Sequence, residues 1–344
     1  MSKKIVGSIE LDRIYQIDCV EGMKLLPDDS VNLIVIDPPY NIGKDKRWDK
    51  WDTVDAYVSF MSEVFKECER VLKPNGSFYW FHNDMTQIRR LMDAIDTNTS
   101  FVYKNFIIWN KRYNGSPRKF YFDNVIKTSA NRSYRPLTEY CLFYTLQKEE
   151  HFNEATKKDN YTDLIDKLLK DIKSTGLSRE EVVQLFLQEG RYSTEESARV
   201  HASYKMGWGN GNRFDLMDEK LFDYLGNHIN WSFNYTFLSE SYEKVRKECE
   251  RKRYVYNTQK THHDVWEYEV APKQGHITPK PVGMIENIIR HSSNEGDIVL
   301  DCFIGSGTTA VAATRLNRHF IGFERESEYI EIANKRIDNE GEIE

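Results

Sequence analysis

The sequence has few cysteines, no long apolar run and no excess of positive charge, and each shortage argues against a class of protein. Its five cysteines are far apart in the 344 residues and form no Cys-x-x-Cys pair, so neither a disulfide framework nor a zinc site is indicated. It lacks the run of 18 apolar residues that suggests a membrane-spanning helix. The opening segment MSKKIVGSIELDR lacks the apolar core of a signal peptide. We therefore expect a soluble cytoplasmic protein with no membrane contact and no metal.

Charge is distributed unevenly along the chain. The net charge of −6 gives no global basic field, but residues 102–135 contain eight basic residues, one acidic residue and eight aromatic residues. Basic side chains for phosphates among flat side chains for bases are typical of a nucleic-acid contact, and a solvated loop with core aromatics is the alternative. The glycine-rich loop 205–215 is a second candidate. The predicted nucleic-acid contacts are Lys111, Arg112, Arg118, Lys119, Arg132, Arg135, Trp208 and Arg213.

The first third of the chain alternates predicted strands and helices. Residues 13–18 and 31–37 are short β-branched runs, and the second is apolar nearly throughout, as expected of a buried parallel strand. Residues 54–72 repeat apolar side chains with the period of a helix, which the Pro-Asn-Gly sequence at 74–76 ends. The other elements predicted here are strands at 77–82, 101–109 and 139–145 and a helix at 84–96.

Residues 146–265 lack this alternation and are predicted to be helical. The helices are expected near 161–175, 179–189, 194–205, 217–225 and 239–253. Ser178 with Glu181, and Ser193 with Glu196, have the spacing of capping boxes. The second and third helices have the lengths of a helix-turn-helix, and a plain αα-hairpin explains them equally well.

The segment VLDCFIGSGTTAVAATRLNRHFIGFE, residues 299–324, has the pattern strand, glycine turn, helix, strand. Gly305 and Gly307 fit G-x-G-x-x-A, and Glu324 closes the second strand, so an adenosine-containing cofactor is predicted at the turn. Plain strand–helix packing is the alternative for the glycines. Such a unit normally opens a doubly wound sheet, so the remaining strands are expected at 13–145 in circularly permuted order. The strand at 298–303 should then lie beside the strand at 32–37.

The segment VIDPPYNIG places an acidic residue and a rigid turn at the end of a buried strand, where ligands bind in open α/β sheets. Pro38 and Pro39 remove backbone donors and leave the Pro38 carbonyl free beside the Asp37 carboxylate. Two adjacent acceptors suit an NH₂ group, which offers two donors, and Tyr40 adds a flat face for a planar ring. We therefore predict that Asp37, Pro38, Pro39 and Tyr40 are catalytic; an acidic strand end before a rigid turn is the structural alternative.

Together the two motifs resemble the catalytic and cofactor motifs of the DNA amino-methyltransferases, and their order matches the β group of that family. The resemblance covers about 1–145 and 266–344 and implies S-adenosylmethionine as the cofactor. GHITPKP resembles the family's third cofactor element, usually His-Pro-Thr-Gln-Lys-Pro, from which Ile277 and Pro279 depart. The cofactor contacts that the resemblance implies are Asp18, Asp37, Thr278, Lys280, Asp301, Phe303, Gly305, Ser306, Gly307, Thr308, Thr309 and Glu324.

The resemblance implies a circularly permuted, doubly wound (Rossmann-like) α/β methyltransferase sheet with a helical recognition insertion. Residues 1–145 are the catalytic part and 266–344 the cofactor-binding part of one domain, and 146–265 are the target-recognition insertion. The substrate is double-stranded DNA, whose target base flips out, stacks on Tyr40 and donates its N–H groups to Asp37 and the Pro38 carbonyl. The sulfonium methyl is already activated, so the transfer requires no metal.

The target base and the partners rest on the resemblance as well. In that family an aspartate at the first motif position usually goes with adenine and a serine with cytosine. We therefore expect N6-methyladenine as the product, with N4-methylcytosine as the alternative because both bases carry an exocyclic NH₂. A nicotinamide-dependent oxidoreductase and an inactive DNA-binding module are further alternatives. The first leaves Asp37–Tyr40 and the basic aromatic stretch 102–135 unexplained, and intact Asp37, Gly305 and Gly307 argue against the second. A prokaryotic or phage origin, a cognate restriction endonuclease and a homodimer are compatible with the resemblance.

Overall fold

The structure is a computed structural model, and it separates the chain into two compact units. Residues 1–148 together with 254–344 form the first unit, and residues 149–253 form the second. The residues that the structure describes are 4–43, 48–117, 137–146, 157–208, 213–252, 255, 257, 263–272 and 279–341. Among these residues no helix is both long and apolar enough to cross a bilayer.

The described residues of the first unit form an eight-stranded mixed sheet and a separate two-stranded sheet. The small sheet pairs β1 (Ile5–Val6) with β2 (Ile9–Glu10). The strands of the large sheet are β3 (Arg13–Gln16), β4 (Val31–Ile36), β5 (Leu72–His82), β6 (Val102–Asn110), β7 (Thr138–Thr145), β8 (Val265–Trp266), β9 (Ile298–Asp301) and β10 (His319–Glu324). Their spatial order is β3-β10-β9-β4-β5-β7-β6-β8.

Strands from both ends of the chain are neighbours in this sheet. β9 lies parallel to β10 on one side and to β4 on the other, where Val299 and Leu300 pair with Leu33 and Ile34. The predicted neighbourhood of the strands at 298–303 and 32–37 is therefore confirmed, and so is the permuted, doubly wound sheet. Since β4, β9 and β10 are parallel, their carboxyl ends meet at one edge, where ligands of such sheets bind.

The helices lie in both units. They are α1 (Cys19–Lys24), α2 (Val54–Val71), α3 (Met85–Asn98), α4 (Thr162–Thr175), α5 (Arg179–Gln188), α6 (Glu195–Met206), α7 (Glu219–Gly226), α8 (Tyr235–Lys252), α9 (Val282–Ser292), α10 (Thr308–Arg315) and α11 (Ser327–Gly341). α4 to α8 belong to the second unit. In the first unit, Ile34 and Ile36 share a core with α1, α2 and α3, whereas Leu33 and Val35 share the opposite core with α9 and α10. Helices thus cover both faces of β4, which explains its nearly continuous apolar sequence.

The helix ends before residues 74–76, as predicted, but these residues lie inside a strand. α2 ends at Val71 and β5 begins with Leu72. The register with β4 then shifts before Ser77, so the intervening residues form a bulge. A Cβ on Gly76 would lie 2.5 Å from the Leu72 side chain, which explains why glycine occupies the bulge.

The second unit has a core of its own, built from α4 to α8 and a short 3₁₀ helix, Lys158–Tyr161. The capping box predicted at Ser178 and Glu181 is confirmed. The box predicted at Ser193 is wrong, because Thr194 takes the extended N-cap conformation and its hydroxyl accepts the Ser197 N–H. α6 therefore begins one residue later than expected.

Candidate active site

Directly after β4, Asp37 places its carboxylate at the carboxyl edge of the sheet. Its Oδ1 accepts a hydrogen bond from the Tyr40 hydroxyl at 2.5 Å, and its Oδ2 lies 2.5 Å from the Lys280 ammonium. The Pro39 carbonyl accepts the Tyr57 hydroxyl at 2.7 Å, which fixes the turn on α2. The Asp37 side chain remains 26% exposed. The catalytic group predicted from the sequence is therefore held on both oxygens and still accessible.

Tyr40 is almost completely buried and acts as a fixed donor to Asp37. Burial, reinforced by the Asp37 charge, raises the pKa of Tyr40, so its hydroxyl stays protonated. The Tyr40 ring lies 4.7 Å from the ring of His82 at the end of β5. Burial lowers the pKa of His82 to about 4, so this ring is neutral at pH 7, and its Nδ1 accepts the Asp84 N–H at 3.1 Å. Tyr40 thus packs on an uncharged support.

Lys280, predicted to bind the cofactor, has its ammonium on the catalytic turn. The side chain is 6% exposed, and Nζ lies 3.2 Å from the Tyr40 hydroxyl and 3.3 Å from Glu139 Oε2. Glu139 is itself buried in β7, and its other oxygen pairs with Lys111. Burial acts to lower the pKa of Lys280, but the Asp37 and Glu139 carboxylates outweigh it and raise that pKa. Glu139 belongs to no motif, and a single glutamate near the start of a strand gives no sequence signal.

The turn after β9 requires glycine at two positions. Gly305 has φ +49° and Gly307 has φ +80°, both in the left-handed region. A Cβ on Gly307 would lie 2.7 Å from the Cβ of Ala333 in α11. Glu324, which ends β10, accepts the Gly305 N–H at 3.0 Å, and burial raises its pKa. Close helix packing, the alternative considered for the glycines, therefore applies at Gly307 beside any role in ligand binding.

Asp301 holds the glycine turn from inside. Its Oδ1 accepts the Phe303 N–H at 3.0 Å, and its Oδ2 accepts the Thr309 hydroxyl at 2.6 Å. Burial raises the pKa of the Asp301 carboxyl to about 7. Three predicted cofactor residues are thus hydrogen-bonded to one another, which orders the turn before any ligand binds.

Arg336 of α11 supports the same turn and was not predicted. Its guanidinium donates to the Ser306 carbonyl at 2.6 Å, to the Ser306 hydroxyl at 3.1 Å and to the Thr308 hydroxyl at 3.3 Å. The residue lies 29 positions beyond Gly307 in a charged helix, so its sequence context gives no reason to select it. Arg336 fixes two predicted cofactor residues from behind.

Both turns line one cavity of about 410 Å³. The predicted residues that line it are Asp18, Asp37, Pro38, Pro39, Tyr40, Lys280, Asp301, Phe303, Gly305, Ser306, Thr308, Thr309 and Glu324. Asp18 also caps α1 by accepting the Val20 N–H at 3.0 Å. Asp18, Asp301 and Glu324 make the lining acidic, which fits a ligand with cationic and hydroxyl groups such as S-adenosylmethionine. Thr278 lies outside the described residues.

Aromatic side chains form another part of the cavity wall. Trp48, Trp51 and Phe60 line it, and the Phe60 ring lies 6.4 Å from that of Phe303. Trp51 is the last residue of the segment 44–51, which follows the catalytic turn. Its backbone N–H donates to Asn41 Oδ1 at 2.9 Å, so this end of the segment is tied to the catalytic turn. Residues 44–47 lie outside the described residues.

The predicted DNA contacts are found in different environments. Lys111 is 19% exposed and ion-paired with Glu139, whereas Arg112 is exposed. In the second unit, Arg213 is exposed and pairs with Asp215, and Trp208 is half-buried beneath the Arg179 guanidinium. The remaining predicted contacts lie outside the described residues: Arg118, Lys119, Arg132 and Arg135.

Residues 31–335 match the family model described as DNA methylase, which spans both motifs and the helical unit between them. The chain belongs to this DNA methylase family. It is 29% identical over 331 residues to the type II methyltransferase M1.MboII of Moraxella bovis, which covers 95% of this chain and 96% of the relative. It is 28% identical over 336 residues to the DNA adenine methyltransferase YhdJ of Escherichia coli (strain K12), covering 96% and 83% of the two chains.

The fold of this DNA methylase is similar to that of the solved PvuII DNA methyltransferase, described as cytosine-N4-specific. The TM-score is 0.51 at 14% identity, and the match covers 96% of this chain and 90% of that chain. The expected fold and enzyme class, a DNA methyltransferase, are confirmed. The oxidoreductase alternative is thereby set aside.

Proposed function

We propose that this DNA methylase transfers a methyl group from S-adenosylmethionine to N6 of adenine within a specific DNA sequence. The observation that carries the proposal is the Asp37 carboxylate, held by Tyr40 and Lys280 at the wall of the cavity that the glycine turn also lines. When bound, S-adenosylmethionine supplies an electrophilic sulfonium methyl. The residues assigned to hold it are those of the glycine turn, with Asp18 and Glu324 for its hydroxyl and amino groups.

Asp37 is assigned to the target amine. An exocyclic amine is a weak nucleophile, because its lone pair is delocalised into the ring. The Asp37 carboxylate and the Pro38 carbonyl accept its two N–H groups, which favours a pyramidal nitrogen with a directed lone pair. Asp37 then accepts the proton that the methylated nitrogen releases. Orientation and fixed hydrogen-bond acceptors account for the rate in this scheme.

The choice of adenine is supported by the aspartate of the motif and by the relative YhdJ, which is named a DNA adenine methyltransferase. The experiment that tests it is mass spectrometry of nucleosides from DNA treated with the purified enzyme and S-adenosylmethionine. N6-methyladenine as the main product is the expected result. N4-methylcytosine as the main product would contradict the assignment of adenine and leave the assignment of methyl transfer intact. The absence of any methylated nucleoside would contradict both assignments.

We assign residues 146–265 to target recognition. The separate core of residues 149–253 and the exposed Arg213 support this assignment, because a unit with its own core can present side chains to a groove without disturbing the catalytic sheet. The target base must leave the duplex to reach Asp37, and Tyr40 is assigned to stack on it.

The proposal includes a cognate restriction endonuclease, a homodimer and a cytoplasmic location. The name of the relative M1.MboII, a type II methyltransferase, supports the endonuclease. Resistance of the methylated DNA to cleavage by a nuclease from the same source would test it. Sedimentation of the purified enzyme at micromolar concentration would test the dimer.

A further inference from the structure

Four charged side chains of alternating sign form a row that ends at the catalytic carboxylate. Lys111 pairs with Glu139, Glu139 lies 3.3 Å from Lys280, and Lys280 lies 2.5 Å from Asp37. The two inner members, Lys280 and Glu139, are almost completely buried. Buried charges are costly unless they are paired, so a pair retained at this position calls for a reason.

We propose that Lys280 and Glu139 are positioning residues that together set the direction of the Asp37 carboxylate and its strength as a hydrogen-bond acceptor. The proposal rests on the proposed function, because it concerns how Asp37 binds the target amine. It also assigns Lys280 to the catalytic turn, whereas the sequence predicts a cofactor contact for this residue.

Lys280 helps to orient the Asp37 carboxylate. Its ammonium contacts Asp37 Oδ2, while the Tyr40 hydroxyl contacts Oδ1, so each oxygen has one fixed donor. A carboxylate oxygen has two lone-pair directions, and one on each oxygen remains for an N–H group of the target. Lys280 therefore orients the carboxylate without occupying it completely.

Glu139 limits this effect. A buried ammonium that contacted only the Asp37 carboxylate would attract the negative charge of that carboxylate strongly. The carboxylate would then be a weaker hydrogen-bond acceptor. Glu139 contacts the same ammonium and shares its charge, and Lys111 balances Glu139 from the other side. With Glu139 in place, Asp37 remains a strong acceptor for the incoming amine.

Other titratable groups also face Asp37, and most of them are uncharged at pH 7. Burial raises the pKa values of Tyr57 and Cys141 and lowers that of His82, while the pKa of Asp301 is raised to about 7. Asp301 therefore titrates in the working range. Asp301 is present in every variant tested below, so its titration contributes to each pH profile. Only the differences between the pH profiles of the variants therefore report on Lys280 and Glu139.

The test is the pH dependence of the single-turnover methyl-transfer rate in Lys280→Met, Glu139→Gln and the conservative Glu139→Asp. Lys280→Met removes the cation that contacts Asp37 Oδ2, so the acidic limb should move up by about 1 pH unit. Glu139→Gln removes a negative neighbour, so the limb should move down by about 1 pH unit, with a lower plateau rate. Glu139→Asp should restore the wild-type limb.

Cofactor affinity and a matched control distinguish a positioning role from cofactor binding and from a purely structural role. S-adenosylmethionine should bind Lys280→Met with a Kd within about twofold of wild type, since the ammonium contacts the catalytic turn. Glu286→Gln removes an ion-paired carboxylate from α9 in the same unit and should leave the limb unchanged.

Three outcomes would overturn the inference: shifts of both variants in the same direction, no shift in either, or a large loss of cofactor affinity in Lys280→Met. Each would leave the proposed function standing, since that depends on the wild-type product. If Glu139→Gln does not fold, the pH shift and cofactor affinity of Lys280→Met decide alone.

Discussion

The turn after β4 and the turn after β9 end neighbouring parallel strands, yet their backbones have opposite properties. The first is rich in proline and presents a charged side chain, Asp37, whose partners Tyr40 and Lys280 are side chains too. The second is rich in glycine, and its support comes from carboxylates and the Arg336 guanidinium that bind its backbone and hydroxyls.

This difference suggests that the two turns have different functions at one edge of the sheet. Proline removes backbone donors and leaves acceptors, which suits an amine that must be activated. Glycine allows left-handed conformations and close approach, which suits a bound cofactor. Substitutions in the first turn should therefore affect the rate of methyl transfer, and those in the second should affect cofactor affinity.

The largest effect is expected for Asp37→Ala, which removes the acceptor proposed for the target amine. The single-turnover rate should fall by about 10²–10³-fold, the usual cost of losing one preorganised group. The Kd for S-adenosylmethionine should stay close to the wild-type value. Asp37→Asn is the matched control, because it keeps one acceptor oxygen without the charge. Wild-type turnover in Asp37→Ala would show that the two turns do not divide the work.

Gly307→Ala tests the second turn. The new Cβ meets Ala333, and the residue is forced to keep φ +80°, so a loss of about 1–3 kcal/mol in folding stability is expected. The displaced turn should also raise the cofactor Kd by at least about tenfold. Gly296→Ala is the control, since Gly296 has φ +79° but no atom within 4 Å of its added Cβ. Equal cofactor affinities in the two variants would contradict the role given to the second turn.

A smaller effect is expected from the pH dependence of Asp301. Its pKa is raised to about 7 in the folded protein, against about 4 in an unfolded chain. Between these values the folded state keeps a proton that the unfolded state releases, so this group makes the protein less stable as pH rises from 4 to 7.

The side chain in the Asp301→Asn variant cannot ionise, so this variant should not show that loss of stability as the pH rises. Urea denaturation at pH 5 and pH 8 measures it: the variant should lose less free energy of unfolding between the two values than the wild type does. An identical loss in both proteins would show that Asp301 is not the responsible group.

The smallest effect is expected outside both turns, at Arg213 in the helical unit. Arg213→Ala should weaken DNA binding and reduce the slope of log affinity against log salt by about one, as loss of one phosphate contact does. Arg199→Ala removes a similarly exposed arginine of the same unit, which pairs with Glu180 and Glu195, and serves as the control. Equal slopes in the two variants would remove Arg213 from the DNA contacts.

The sequence was sufficient to predict most of the described elements and to predict that the two turns meet. Strand–helix alternation and the reversed order of the motifs predict that β9 lies beside β4, because each motif must follow a buried parallel strand. One local error arose where two neighbouring residues are equally able to cap a helix: Thr194 rather than Ser193 caps α6, since both are hydroxyl residues. A second error has a different origin, since α8 begins at Tyr235, four residues earlier than predicted, after Asn234, whose side chain accepts the Phe237 N–H.

The partners of the site residues could not be predicted. Lys280 and Asp37 are 243 positions apart, and Glu139 joins them only because β7 lies beside β5 in the sheet. The same holds for Arg336, whose helix brings it beneath Ser306. Motifs identify residues that touch a ligand, whereas the side chains that hold those residues depend on tertiary packing.

We propose that the two turns form one site, in which the methyl donor and the target amine meet. The most direct test is a structure of the protein bound to S-adenosylhomocysteine, the demethylated form of the donor. We expect the ligand in the cavity that both turns line, with its ribose toward Glu324, its adenine edge toward Asp18 and its sulfur facing Asp37. A ligand bound elsewhere, or with its sulfur turned away from Asp37, would contradict the single shared site.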